Sequence, residues 1–108
     1  MMNVEVTETN FKELISASQP VLIHFWSDFC GPCKAQSRVL EQLEDKYRTS
    51  ICIGSINIQD HLDWAEAFSI RSTPTVLIFS KGELSARLTG VHSLSRLENV
   101  LSKIEMRS

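Results

Sequence analysis

The sequence has no long hydrophobic run, no cluster of basic residues and no second pair of closely spaced cysteines, and each absence removes a class of function. No apolar stretch approaches the ~20 residues that a helix needs to cross a bilayer, so a membrane protein is not expected. A formal net charge of −2 with no basic cluster argues against a nucleic-acid surface. The start, Met1-Met2-Asn3-Val4-Glu5-Val6, lacks a basic segment followed by an apolar stretch. No secretory leader is therefore expected, and the expected setting is the cytoplasm. Repeats, low-complexity tracts and linkers are also missing. A chain of 108 residues fits one compact domain over residues 1–108, large enough to bury a core without staples.

Cysteine is scarce as well. Three cysteines make an odd set, unlike a secreted disulfide framework. Two of them stand in Cys30-Gly31-Pro32-Cys33, and in a reducing compartment such a close pair is more often catalytic or metal-binding than structural. A closed zinc site needs four ligands, whereas Cys52, His24, His61 and His92 are scattered singly along the chain, so no metal is expected. The pair closely follows the apolar run Val21-Leu22-Ile23-His24-Phe25-Trp26 and opens a helix-like stretch from Lys34. Two thiols three residues apart at a helix start can close into a small disulfide and reopen. The first lies near unpaired backbone N–H groups and the positive end of the helix dipole, which favour its thiolate. That arrangement suits reversible thiol–disulfide exchange.

Asn10-Phe11-Lys12-Glu13 reads as a helix start, with Asn10 as cap and Glu13 three residues later. Residues 21–27 read as a strand apolar on both faces. Residues 31–47 carry Val39, Leu40, Leu43 and Tyr47 at helical spacing, with Glu41, Glu44, Asp45 and Lys46 as the wet side. A second strand is expected over 50–58 and a short helix over 61–68. Residues 75–79 form a strand, 80–83 a turn and 84–89 its antiparallel return. Ser95-Arg96-Leu97-Glu98 has capping-box spacing, with Ser93 as the other candidate cap, before a helix showing Leu97, Val100, Leu101 and Ile104 on one face. This order implies an α/β fold, a central mixed sheet flanked by helices on both faces. In such sheets the site lies at the carboxyl ends of the parallel strands, where Cys30 falls.

The residues at these positions resemble the thioredoxin family. They are Phe25-Trp26 before the pair, Cys30-Gly31-Pro32-Cys33-Lys34 at it, Ile70-Arg71-Ser72-Thr73-Pro74-Thr75 later, and Gly82-Glu83 and Gly90 beyond. The resemblance runs from about Val4 to the C-terminus. It implies the thioredoxin fold, a cis bond before Pro74 facing the cysteines, and backbone groups of Thr73 offered to an extended target segment. Four positions depart from the family pattern. His24 stands where a buried aspartate is usual, Ser55 where a lysine is usual, Phe29 for a tryptophan, and Arg38 for a helix-kinking proline. A buried ion pair lost as a unit leaves no stranded charge, and a neutral His24 and Ser55 could hydrogen-bond in its space.

By this resemblance Cys30 is the attacking thiolate and Cys33 the resolving one, with the second step intramolecular. Phe29, Pro32, Thr73, Pro74, Gly90 and Val91 would make the docking rim. Trp26 would pack under the site, and it, Gly31, Pro32, Lys34, Pro74 and His24 would support the cysteine pair, with Lys34 able to add positive potential. His24 could accept the proton of a buried Cys33 or simply fill a strand position in neutral form. A protonated His24 would instead make the pair more oxidising. The implied function is reduction of protein disulfides by a monomer without a bound cofactor beyond its own Cys30–Cys33 disulfide. Electrons for redox homeostasis would come from an NADPH-dependent flavoprotein reductase. A disulfide donor or isomerase, and a binding module with incidental cysteines, remain the alternatives. Cys52 reads as a small buried hydrophobe. His61 and His92 read as surface residues, and Trp64 as a core edge or a partner surface.

Overall fold

The computed structural model describes residues 4–106; the expectation drawn from Met1-Met2-Asn3 and the outer limits of the 1–108 domain lie outside them. Five strands form one mixed sheet in the order β1-β3-β2-β4-β5. They are β1 (Val4–Glu5), β2 (Val21–Trp26), β3 (Cys52–Asn57), β4 (Thr75–Ser80) and β5 (Glu83–Thr89). The first three run parallel, and β4 and β5 are antiparallel additions. Among the described residues there are four α-helices: α1 (Phe11–Ile15), α2 (Gly31–Tyr47), α3 (Leu62–Ala67) and α4 (Leu94–Met106). This is the α/β thioredoxin fold that the sequence implies.

Burial explains the layers. Every residue of β2 from Val21 to Phe25 is buried, as a central strand covered on both faces must be. Leu22, Ile53, Val76 and Ile78 meet Leu40 and Leu43 of α2 and Leu97, Leu101 and Ile104 of α4 on one face. Val21, Ile23, Phe25 and Leu77 meet the α1 and α3 side on the other, where Phe11 packs on Trp64, Phe68 and Phe79. Trp64 is thus a core-edge residue. Lys46 and Tyr47 of α2 both bond the Glu98 carboxylate of α4, each at 2.6 Å, which fastens the two helices together.

Several local expectations change. β1, which the sequence did not announce, joins the sheet through Val4↔Gly54 and Glu5↔Ser55. Gly54 permits that approach: a Cβ there would stand 2.5 Å from Val6 Cγ2. Asn10 does not cap α1 with its side chain; Oδ1 turns back to accept the Thr7 N–H at 2.8 Å. A 3₁₀ turn over Arg48–Ser50 delays β3 to Cys52. Ser93, rather than Ser95, caps α4, accepting the Arg96 N–H at 3.2 Å. The turn between β4 and β5 places Lys81 and Gly82 at positive φ, the geometry of a tight two-residue hairpin.

Candidate functional site

At the carboxyl end of β2 the chain leaves the sheet through Ser27, Asp28 and Phe29. Asp28 donates its N–H to Gln59 Oε1 at 2.7 Å, so the loop after β3 holds the loop after β2. Phe29 has φ 61 and its side chain is fully exposed, which leaves core packing no part in its choice. Cys30 follows as the N-cap of α2, in extended conformation, and its Sγ accepts the N–H of Cys33 at 3.1 Å. Pro32 fits the first turn, where its missing N–H has no intrahelical partner to lose.

Cys30 and Cys33 form a disulfide with Cα atoms 5.3 Å apart. Cys30 is half-buried, whereas Cys33 is 3% exposed. The sulfur open to a partner is therefore the one at the helix N-terminus, where the dipole and free N–H groups favour negative charge. Trp26, Phe29, Cys30, Cys33 and Lys34 line a hollow of about 510 Å³.

The turn before β4 reaches the Cys30 sulfur, and the Thr73–Pro74 peptide in it is cis. Thr73 Oγ1 donates to Cys30 Sγ at 3.5 Å and stands 2.9 Å from Ser27 Oγ. With the Thr73 proton on sulfur, Ser27 is the donor of the second bond, giving a relay from Ser27 through Thr73 to Cys30. The Thr73 carbonyl lies 3.7 Å from the same sulfur, where a reduced thiol can donate to it. Gly90 donates its N–H to Pro74 O at 2.9 Å, which ties it to the Thr73–Pro74 turn, and the next residue, Val91, is 46% exposed.

His24 does not line this hollow. Period-two alternation puts it on the face of Leu22, beneath α2, with Ser55 and Val76 as its strand neighbours. The expected hydrogen bond to Ser55 is not formed: Nδ1 and Nε2 are both buried without a partner. Parallel pairing sets the two residues side by side, yet neither ring nitrogen meets the hydroxyl. Burial lowers the His24 pKa to about 4, so the ring is neutral at neutral pH. Cys52, paired with Val21 at the far end of β2, is half-buried, and burial raises its thiol pKa. Among the described residues no three His, Cys, Asp or Glu side chains gather to hold a metal ion, and no helix is long and apolar enough to cross a membrane.

Three contacts were not foreseen from the sequence. The Ser27 and Thr73 hydroxyls meet across the fold and give no local signal. Gln59, a lone amide in a loop, gives none either. Gln36 could have been found, because it stands between Cys33 and Leu40 on the buried stripe of α2, where an amide must find partners. Its partner is the backbone of His92.

Comparison with known proteins agrees with this geometry. Residues 2–103 match the family described as thioredoxin. A thioredoxin from Porphyra purpurea is 39% identical over 100 residues, covering 92% of this chain and 94% of that protein. A bifunctional thioredoxin reductase/thioredoxin from Mycobacterium leprae is 30% identical over 104 residues, covering 95% of this chain and 23% of that protein. Among solved structures, a mutant thioredoxin from Halobacterium salinarum superposes with a TM-score of 0.82 at 25% identity, covering 94% of this chain and 88% of that one.

Proposed function

Since the chain belongs to the thioredoxin family and is a thiol–disulfide oxidoreductase acting through Cys30 and Cys33, we propose that its working direction is the reduction of protein disulfides. The observation that carries this reading is the division of the pair into an accessible Cys30 at a helix N-terminus and a buried Cys33. In the reduced protein the Cys30 thiolate attacks one sulfur of a target disulfide. The target S–S bond breaks, and the second target sulfur leaves as a thiolate that takes up a proton. Cys33 then loses its proton and attacks Cys30 Sγ, which breaks the mixed disulfide between Cys30 and the attacked target sulfur, re-forms the internal disulfide and releases that sulfur as the remaining target thiol. Two electrons and two protons pass to the target, and the product is the state seen here.

Roles follow from position. Cys30 is the nucleophile, Cys33 the resolving thiol, and Thr73 Oγ1 a donor to the attacking sulfur. Phe29, Pro32, Thr73, Pro74, Gly90 and Val91 form the docking rim, Trp26 and Lys34 line the hollow, and Gly31 spaces the two cysteines. A neutral His24 adds no cation beside the thiols, which weighs against a strongly oxidising disulfide donor. The electron source is a flavoprotein reductase using NADPH. The Mycobacterium leprae relative, whose name joins a thioredoxin reductase to a thioredoxin, supports that partnership. One monomeric domain without a bound cofactor, working in the cytoplasm, completes the reading.

Insulin reduction by dithiothreitol, followed as turbidity, tests it. The native protein accelerates precipitation, Cys30→Ser abolishes the acceleration, and Cys33→Ser accumulates mixed disulfide. A binding module would leave the rate unchanged. Titration of the pair against glutathione then separates reductase from donor or isomerase, because a donor pair stays reduced in buffers that oxidise a reductase pair.

A further inference from the structure

We infer that Gln36 is a positioning residue for target docking, a latch that holds the Gly90–His92 segment beside Cys30. The inference rests on the docking role proposed above for Val91. Gln36 is fully buried on α2, one turn beyond Cys33. Its Oε1 accepts the His92 N–H at 2.8 Å, and its Nε2 donates to the His92 carbonyl at 3.2 Å. One side-chain amide thus pairs with both backbone groups of one residue, as a neighbouring strand would. Such a two-bond ring fixes orientation as well as distance, and a buried amide has little else to pair with.

The other end of the segment is fixed independently. Gly90 donates its N–H to Pro74 O at 2.9 Å, and the His92 ring nitrogen Nε2 lies 2.9 Å from Thr89 O. Val91 is held between these ties with 46% of its surface open. Cys33 and Gln36 share one face of one helix, so the latch refers the height of Val91 to the helix that carries the reactive pair. Both of its hydrogen bonds go to His92 and neither to a sulfur. Its loss should therefore weaken the grip on an extended protein target while sparing reaction with a small disulfide that needs no rim.

The test compares native protein with Gln36→Leu and Gln36→Glu, each first shown to be folded by circular dichroism. With insulin as substrate, KM rises about five- to tenfold in Gln36→Leu while kcat stays within twofold. The rate constant for an aromatic disulfide such as 5,5′-dithiobis(2-nitrobenzoate) also stays within twofold. In Gln36→Glu the carboxylate keeps an acceptor for the His92 N–H but turns a second one toward the His92 carbonyl. That defect shrinks as pH falls and the protonated acid regains a donor, a signature a merely structural role lacks. Amide exchange at His92 rises at least tenfold in Gln36→Leu. An unchanged insulin KM, or equal losses on both disulfides, would overturn the docking role; an unchanged His92 exchange rate would overturn the latch. Should native protein fail to reduce insulin, the proposed function falls and the docking role with it, while the His92 exchange still decides the latch.

Discussion

The Thr73 hydroxyl donates to the sulfur of Cys30 across 3.5 Å, and Ser27 Oγ stands 2.9 Å behind it. A donor aimed at a sulfur matters most when that sulfur is charged, because hydrogen bonds to ionised groups are worth about 1.5–3 kcal/mol against about 1 for neutral ones. Thr73→Val keeps the side-chain shape and removes the proton. The Cys30 pKa in the reduced protein should rise by about 1–2 units, measured as thiolate absorbance or iodoacetamide reactivity against pH. Ser27→Ala should give a smaller rise, since Thr73 keeps its own hydroxyl. Superimposable titrations of native and Thr73→Val protein would remove the hydroxyl from the chemistry.

His24 predicts a stability profile. Its folded pKa is lowered to about 4 from an unfolded value of 6.5. Above pH 6.5 both states hold a neutral ring and pH has no effect through this group. Between pH 6.5 and 4 the unfolded chain takes up a proton that the folded one refuses, so stability falls by up to about 3 kcal/mol. Glu44, whose carboxyl burial raises, acts in the opposite sense on acidification, so the native profile alone mixes the two. The difference between native protein and His24→Leu in urea titrations isolates the histidine. That difference should be constant above pH 6.5 and shift toward the variant below it. A constant difference down to pH 4 would show that His24 titrates normally in the fold.

The same histidine bears on Cys33. A ring whose pKa is lowered to about 4 is a poor proton acceptor for a thiol. Mixed-disulfide resolution in His24→Ala should therefore follow the native pH profile from pH 6 to 9. A lost limb in that profile would make His24 the acceptor after all.

Phe29 offers a clean separation of stability from docking. Its side chain is wholly in solvent, so Phe29→Ala should leave the unfolding free energy from urea titration within about 0.5 kcal/mol of native. If the rim reading holds, kcat/KM for insulin drops severalfold in the same variant. A stable variant with native kcat/KM would take Phe29 out of the rim.

Gly54→Ala is the smallest addition the core can receive, and it should be costly. The new methyl would stand 2.5 Å from Val6 Cγ2 and 3.3 Å from the Val4 carbonyl oxygen. Overpacking of this kind costs about 1–3 kcal/mol, read as a thermal midpoint lower by several degrees. Val6→Ala in the same chain should recover part of that loss, whereas purely additive losses would mean that Val6 is not the obstacle.

What was legible in the sequence follows from the range of the forces involved. β2 and α2 announced themselves through runs of buried residues and a helical stripe, and Cys30 to Cys33 through spacing alone. Thr73-Pro74 became meaningful only through resemblance, because a threonine before a proline says nothing by itself. The Ser27–Thr73 relay joins residues 46 apart in sequence, and Gln36–His92 joins residues 56 apart. Such pairings depend on how elements come together, which no local pattern carries. The missing His24–Ser55 bond shows the reverse limit. Adjacent register was inferable, but whether two side chains meet depends on rotamers that register does not set.

The sheet is unevenly anchored. Among the described residues β1 pairs through Val4 and Glu5 at one edge, while β2, which delivers the cysteine loop, is paired with β3 on one side and β4 on the other. Transient opening should begin where the fewest bonds must break. Amide protons of Val4 to Val6 should exchange with solvent long before those of Leu22 to Phe25. The chain can thus breathe at its edge while its reactive sulfur stays in register.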